Sequence, residues 1–247
     1  MSRVAVVTGG ASGIGLGVAR GFAADGHRVA LVDCDAAAAG AAADELRAEG
    51  ATVLGVDVDV ADRASVAAGF DRIRADLGPV EILVTSAGIE SFTPVLDITA
   101  DGWDRIIGVN LTGTFTCVQA ALPDMLAAGW GRIVTISSSS AQSGAPHMAH
   151  YAASKGGVIG LTRALAVELA RSGITVNTIP PSLVDTPMAR KAEADGDFPG
   201  VDVVGPMVPV GRAGTPADIA AACSYLCSEG GSYITGQVIG VNGGMYI

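Results

Sequence analysis

Residues 137–157 read SSSSAQSGAPHMAHYAASKGG and place Tyr151 and Lys155 four apart where a helix begins. Residues i and i+4 share one helix face, one turn apart. The pair is therefore either helix surface or a proton-transfer device. A free tyrosine titrates near ~10 and is a poor base at neutrality. A nearby ammonium favours the phenolate and lowers that pKa. Such a tyrosine can take a proton from a hydroxyl, or return one to a carbonyl. Ser138, thirteen residues before the tyrosine, supplies a hydroxyl at the end of an apolar run.

A second chemical pattern lies near the N-terminus. TGGASGIG, residues 8–15, follows the apolar run VAVVT and opens a helical pattern. Glycines at 9, 13 and 15 permit a tight turn and a close backbone approach to a pyrophosphate. The helix that follows offers unpaired N–H groups and a positive dipole end. Asp33 ends the next apolar run, 18 residues after Gly15. An acid there accepts hydrogen bonds from ribose hydroxyls and repels a 2′-phosphate. Neither Ser12 nor Cys34 is basic. The reading is NAD, with NADP disfavoured.

The elements that must carry these groups alternate along the chain. Strands are predicted over 4–8, 28–33, 52–58, 81–88, 131–138, 174–179 and 236–244. Helices are predicted from Gly13, and over 36–49, 62–77, 101–128, 151–171 and 215–228. Unbroken Val/Ile/Leu strands alternating with helices imply a parallel sheet covered on both faces. The fold class is α/β, a doubly wound parallel sheet of the Rossmann type with about seven strands. No linker or repeat divides the chain, so 1–247 reads as one domain. The proline-rich stretch 183–212 is long enough to be a substrate lid.

The totals agree. The 247 residues are 49 % hydrophobic and 16 % charged, with 34 glycines, which is a buried-core composition. Net charge is −10 and no Lys/Arg cluster exists, so no nucleic-acid partner is expected. No signal-peptide pattern is seen and no apolar run reaches membrane-spanning length, so no membrane partner and a cytoplasmic location are expected. Cys34, Cys117, Cys223 and Cys227 read as small core hydrophobes. No metal-ligand spacing is present and no metal is expected.

Together, TGGASGIG, the order Ser138, Tyr151-Ala-Ala-Ser-Lys155, and weaker matches between them resemble the short-chain dehydrogenase/reductase family, in its single-domain branch. The resemblance covers nearly the whole chain. It implies a hydride transfer between a nicotinamide and an alcohol or ketone. It implies that Gly9, Ser12, Gly13, Ile14 and Gly15 hold the pyrophosphate, and that Asp59-Val60 lie beside the adenine. Ala87-Gly88 follow the fourth strand, and Pro181, Val184 and Thr186 flank the nicotinamide. Lys155 would hold the nicotinamide ribose, Ser138 the substrate oxygen, and Asn110 a relay water. Relatives assemble through the helices of 101–128 and 151–171 and through the C-terminal strand, which implies a homotetramer.

Two positions depart from the family pattern. Thr85-Ser86-Ala87-Gly88 stands where Asn-Asn-Ala-Gly is usual, and Pro181-Ser182 where Pro-Gly is usual. The first reads as a variant contact, and the second narrows the space near the nicotinamide. Phe92, Met148, Leu183, Met188, Phe198 and Met207 predict a mainly apolar pocket with few fixed charges. The expected small-molecule substrate is a hydrophobic secondary alcohol or ketone: a 3-hydroxyacyl thioester, an alicyclic alcohol or a hydroxysteroid. His147 and His150 flank the loop, and with a Tyr/Lys base in place neither is needed for the chemistry. Arg132 and Arg171 fall where acyl-carrier-protein reductases carry basic residues. Alternatives are a 3-oxoacyl-carrier reductase using NADPH, a non-catalytic NAD-binding regulator, and a dehydratase or epimerase. The regulator is opposed by the presence of Ser138, Tyr151 and Lys155. The last class usually carries a larger C-terminal domain.

Overall fold

A computed structural model describes residues 2–247. Six strands form one sheet: β1 Val4–Thr8, β2 Arg28–Asp33, β3 Val53–Asp57, β4 Ile82–Thr85, β5 Gly131–Ile136 and β6 Ile174–Ile179. Their order is β3-β2-β1-β4-β5-β6, and every pairing is parallel. Strands β1, β4, β5 and β6 are buried along their whole length, which is why they read as unbroken apolar runs rather than alternating ones.

Ten α-helices accompany the sheet among the described residues. They are α1 Gly13–Ala24, α2 Ala36–Ala48, α3 Arg63–Leu77, α4 Ala100–Ile107, α5 Gly113–Ala128, α6 Ser140–Ser143, α7 Ala149–Leu169, α8 Pro187–Asp195, α9 Val201–Val204 and α10 Pro216–Cys227. Alternate residues of β1 feed two cores. Val4 and Val6 pack with Phe70 and Ile73 of α3, Cys117 and Met125 of α5, and Leu169 of α7. Ala5 and Val7 pack with Phe22 of α1, Leu46 of α2, and Ile219 and Cys223 of α10. The strand order reverses between β1 and β4. The carboxyl ends of the strands part there, and open α/β sheets bind ligands in that crevice.

The sheet has six strands rather than about seven. Residues 236–244 follow β6 without forming a strand. The Thr178 amide donates to Gln237 O at 2.9 Å and the Ile239 amide to Thr178 O at 2.9 Å. Beyond that single bridge the ladder stops. Gly236, Gly243 and Gly244 take φ of 72°, 62° and 85°, which turn the chain out of the extended region.

The helix expected over 101–128 is not continuous. Gly108–Thr112 forms a π-helical turn between α4 and α5. Taken as one run, Ala100–Ala128 is long and apolar enough, by length and composition, to cross a bilayer. That is at odds with the sequence-based expectation. In the fold, α5 instead places Cys117, Val118, Ala121 and Met125 in the core beneath the sheet. Three of the four cysteines are buried as expected, while Cys34 is exposed beside Asp33.

Candidate active site

The Gly-rich turn is shaped by packing before any ligand is considered. Gly9 has φ of 64°, and a Cβ there would lie 2.9 Å from the Ala87 backbone. A Cβ on Gly15 would lie 2.0 Å from Gly9 O, so the start of α1 closes onto the turn only with glycine at both places. Helices α2, α3, α8 and α10 have side-chain caps from Asp35, Asp62, Thr186 and Thr215. Helix α1 does not: Ser12 occupies its N-cap without bonding the first-turn amides. Those amides and the positive helix end are left for an anion.

From this turn a cleft of about 850 Å³ runs along the carboxyl edge of the sheet. At one end it is lined by Gly9, Ser12, Gly13, Ile14, Gly15, Asp33, Asp59 and Val60, and further along by Ala87 and Gly88. At the other end stand Ser138, Tyr151, Lys155, Pro181, Val184 and Thr186. Every candidate cofactor or catalytic residue reaches this one space except Asn110, which is wholly buried behind it. A dinucleotide fits such a cleft on two grounds. The turn tolerates no side chain at Gly9 or Gly15, and α1 leaves its N-terminal amides uncapped toward it.

Asp33 is fixed at the end of β2. Its Oδ2 accepts from the Ala11 amide at 3.1 Å and its Oδ1 from the Asp35 amide at 3.1 Å. The carboxylate is thus tied to the Gly-rich turn, with the uncharged Cys34 next to it on the cleft wall.

Tyr151 and Lys155 share the inner face of α7. Lys155 Nζ donates to Ile136 O at 2.9 Å and lies 5.8 Å from the centre of the Tyr151 ring. Burial lowers the Lys155 pKa to about 8, against a smaller raising pull from Glu90. Tyr151 is pushed up to about 12, first by burial and then by Glu90, while the Ser138 hydroxyl pulls it down. The surrounding protein groups therefore do not by themselves make the phenol a base. Ser138 accepts from Ser140 Oγ at 2.9 Å and from the Ser140 amide at 3.2 Å. The Ser-rich stretch thus runs into a short helix, α6, whose first residue Ser140 holds the Ser138 hydroxyl.

Asn110 stands on the π-helical turn and holds three groups. Its Oδ1 accepts from the Ile89 amide at 2.9 Å, and its Nδ2 donates to Ile89 O and to Ser154 Oγ, each at 3.0 Å. Ser154 in turn donates to Tyr151 O at 2.7 Å. The side chain of Asn110 therefore ties the loop after β4 to the turn of α7 that bears the tyrosine. A π-turn inside a helix is common at functional sites because it re-aims one residue.

The two departures have local accounts. Thr8 Oγ1 accepts from the Ser86 and Ala87 amides at 3.1 Å each, so the backbone after β4 is held without the usual asparagines. Thr85 Oγ1 is buried without a partner. Ser182 has no positive φ, so glycine is not required there, and it lines the cleft.

The substrate end carries Phe92, Met148, Leu183, Met188 and Phe198, as expected. Met207 instead lies outside the cleft, 73 % exposed, in the turn that follows α9. The stretch 183–212 carries α8 and α9, and Arg190 of α8 binds it together: Nε to Asp185 at 2.8 Å and Nη1 to Asp202 at 2.8 Å. His147 is the one non-glycine residue with positive φ among those described, at 64°. Its carbonyl accepts from the Thr93 amide at 2.6 Å and joins the two substrate loops. The sequence reading gave Ser140 no role beyond a loop polar group, and it missed Ser154 and Glu90, a half-buried acid that lines the same cleft as Tyr151 and Lys155. No spacing marked them; a polar residue next to a catalytic one was the only signal.

A six-stranded parallel sheet with a dinucleotide cleft at its switch point and a Ser/Tyr/Lys group at the far end defines a nicotinamide-dependent oxidoreductase. Comparison with known proteins agrees. Residues 9–246 match the family described as enoyl-(acyl carrier protein) reductase. The chain is 40 % identical to D-threitol dehydrogenase of Mycolicibacterium smegmatis, over 99 % of this chain and 93 % of that one. It is 38 % identical to the 3-oxoacyl-[acyl-carrier-protein] reductase MabA of Mycobacterium tuberculosis, with the same coverage. It superposes on the crystal structure of gox2181 with a TM-score of 0.93 at 36 % identity, covering 98 % of this chain and 95 % of that one. The chain belongs to the short-chain dehydrogenase/reductase family. It is an oxidoreductase that moves a hydride between a nicotinamide cofactor and a small alcohol or ketone.

Proposed function

We propose that the protein is an NAD-dependent dehydrogenase of hydrophobic secondary alcohols, working through Ser138, Tyr151 and Lys155. The observation that carries this reading is the convergence of these three on one cleft that begins at the Gly-rich turn and Asp33. When bound, the nicotinamide supplies the hydride acceptor. Ser138, aimed by Ser140, holds the substrate oxygen and steadies the charge on it. Tyr151 takes the hydroxyl proton as the C–H bond breaks. Its phenol starts near 12 with Lys155 already 5.8 Å from the ring, so the lowering must come from the positive charge that the oxidised nicotinamide would add to that of the Lys155 ammonium. Lys155 also reaches the side of the cleft where a nicotinamide ribose would lie, beside Gly88. Asn110 is a positioning residue that sets the Tyr151 turn through Ser154. The anchored Asp33 carboxylate supports NAD over NADP, by repulsion of a 2′-phosphate.

A cytoplasmic homotetramer of a single domain is the proposed form. Support for assembly comes from Leu126 of α5, Val167 of α7, and the C-terminal Tyr233 and Ile247, all exposed apolar side chains on the expected surfaces. A second reading, a 3-oxoacyl-carrier reductase, is favoured by the likeness to MabA. Against it, Arg132 is 3 % exposed and donates to Gly131 O and Gly173 O, so it does not form a basic surface with Arg171. Initial rates with NAD⁺ and NADP⁺ on alicyclic alcohols, hydroxysteroids and 3-hydroxyacyl thioesters test the choice. NADPH-dependent turnover restricted to 3-oxoacyl thioesters would select the second reading.

A further inference from the structure

The substrate end of the cleft opens into a second chamber of about 540 Å³. The two spaces share Glu90, Phe92, Arg105 and Met188 as walls. Glu90 thus stands at the junction, next to the apolar walls Phe92 and Met188. It forms no hydrogen bond and no ion pair among the described residues, although it is only half exposed. It lines both the space that holds Tyr151 and Lys155 and the chamber that holds Asp197. An acid placed there without a partner has unused acceptor capacity.

A separate observation marks the chamber as a site for polar groups. His150 lines it, is 2 % exposed, and its Nδ1 has no hydrogen-bond partner. Buried polar atoms are normally partnered, and an orphan facing a cavity is a place for a ligand atom. The chamber also carries Asp97, Asp195 and Asp197, against Arg105 and Lys191, and Lys191 is paired with Asp195. The acids are in excess, so an anionic tail is repelled there while neutral hydroxyls are accepted.

We propose that Glu90 determines specificity by accepting a hydrogen bond from a second hydroxyl of the substrate. The preferred substrate is then a secondary alcohol on an apolar skeleton that carries another hydroxyl away from the reacting carbon. Alcohols bearing a carboxylate or phosphate tail are disfavoured. The proposal rests on the reading of the cleft as an alcohol dehydrogenase site. His150 serves the part of the substrate that extends past Glu90.

The test uses cyclohexanol and the isomeric cyclohexanediols with the wild-type enzyme, Glu90→Gln and Glu90→Leu. The readout is the ratio of kcat/KM for the best diol to that for cyclohexanol, in which general changes of activity cancel. The wild-type ratio is expected at about tenfold or more, the scale of one hydrogen bond to a carboxyl group. It should collapse in Glu90→Leu, mainly through KM, and be partly kept in Glu90→Gln. A second readout is affinity for the enzyme–NADH complex, followed by NADH fluorescence, which also shows that each variant is folded. A wild-type ratio near one, or a ratio that Glu90→Leu leaves unchanged, overturns the proposal. Diol-selective binding without turnover supports the Glu90 assignment and sinks the dehydrogenase reading instead.

Discussion

Replacing Asn110 by alanine tests the link between the fold and the site. The side chain is wholly buried and makes three hydrogen bonds, to Ile89 N, Ile89 O and Ser154 Oγ. Each such bond contributes about 1 kcal/mol net, and leaving the Ile89 backbone unpaired adds to the loss. Asn110→Ala should therefore destabilise by about 3 kcal/mol or somewhat more. For a chain of this size, 1 kcal/mol moves Tm by roughly 2–4 °C, so a fall of about 6–12 °C is expected. The measurement is thermal unfolding by circular dichroism, without ligand and at fixed protein concentration. Ser154→Ala removes one of the three bonds together with the bond from Ser154 Oγ to Tyr151 O, and should cost about 1–2 kcal/mol, or roughly 2–8 °C. The two losses should be less than additive, because the bond between the residues is counted in both. The same variant loosens the Tyr151 turn, so kcat should fall about tenfold or more. A Tm within about 2 °C of wild type, or strictly additive losses, would refute this account of Asn110.

Other outcomes follow from the same geometry. Asp33→Ala removes the charge that opposes a 2′-phosphate, and the NADP⁺/NAD⁺ ratio of kcat/KM should rise at least tenfold; an unchanged ratio in initial-rate assays would remove Asp33 from cofactor choice. Ser140→Ala frees Ser138 from its 2.9 Å hydroxyl contact and should lower kcat/KM about tenfold with little change in NADH binding by fluorescence. Arg190→Ala unties Asp185, Glu193 and Asp202 across the stretch 183–212 and, if that stretch covers the substrate as proposed, should raise the alcohol KM several-fold while Tm stays within about 2 °C. The pH profile has a fixed sign. Oxidation needs a proton acceptor in the pair formed by Tyr151, near 12, and Lys155, near 8. Rates of oxidation should rise from acid pH through the region of 8, and rates of reduction should fall over the same window; the pair sets the apparent value, not either residue alone.

Much of this architecture was legible in the residue pattern because it rests on local rules. The apolar runs that became β1, β4, β5 and β6 are buried on both faces, and burial on both faces leaves no polar alternation to misread. The Gly-rich turn was legible because close packing of Gly15 on Gly9 admits no other residue. Tyr151 and Lys155 were legible because a helix makes four residues one turn. The seventh strand failed because Gly236, Gly243 and Gly244 take positive φ, and an apolar composition does not reveal backbone angles. The π-turn at Asn110 failed because helical periodicity cannot report one inserted residue. Glu90 was passed over because its importance lies in tertiary placement, between two cavities that sequence neighbours do not define. Arg132 was legible as a basic residue but not as a buried one, since its carbonyl partner Gly173 comes from a distant loop.

The central claim is tested most directly by Tyr151→Phe. NADH formation from an alcohol that the wild-type enzyme turns over is followed by absorbance, with NADH binding measured in parallel by fluorescence. The account predicts a loss of turnover of about a hundredfold or more with cofactor binding retained, because phenylalanine keeps the packing and removes the proton acceptor. Turnover that survives in Tyr151→Phe, in the same fold and with the same cofactor affinity, would contradict it.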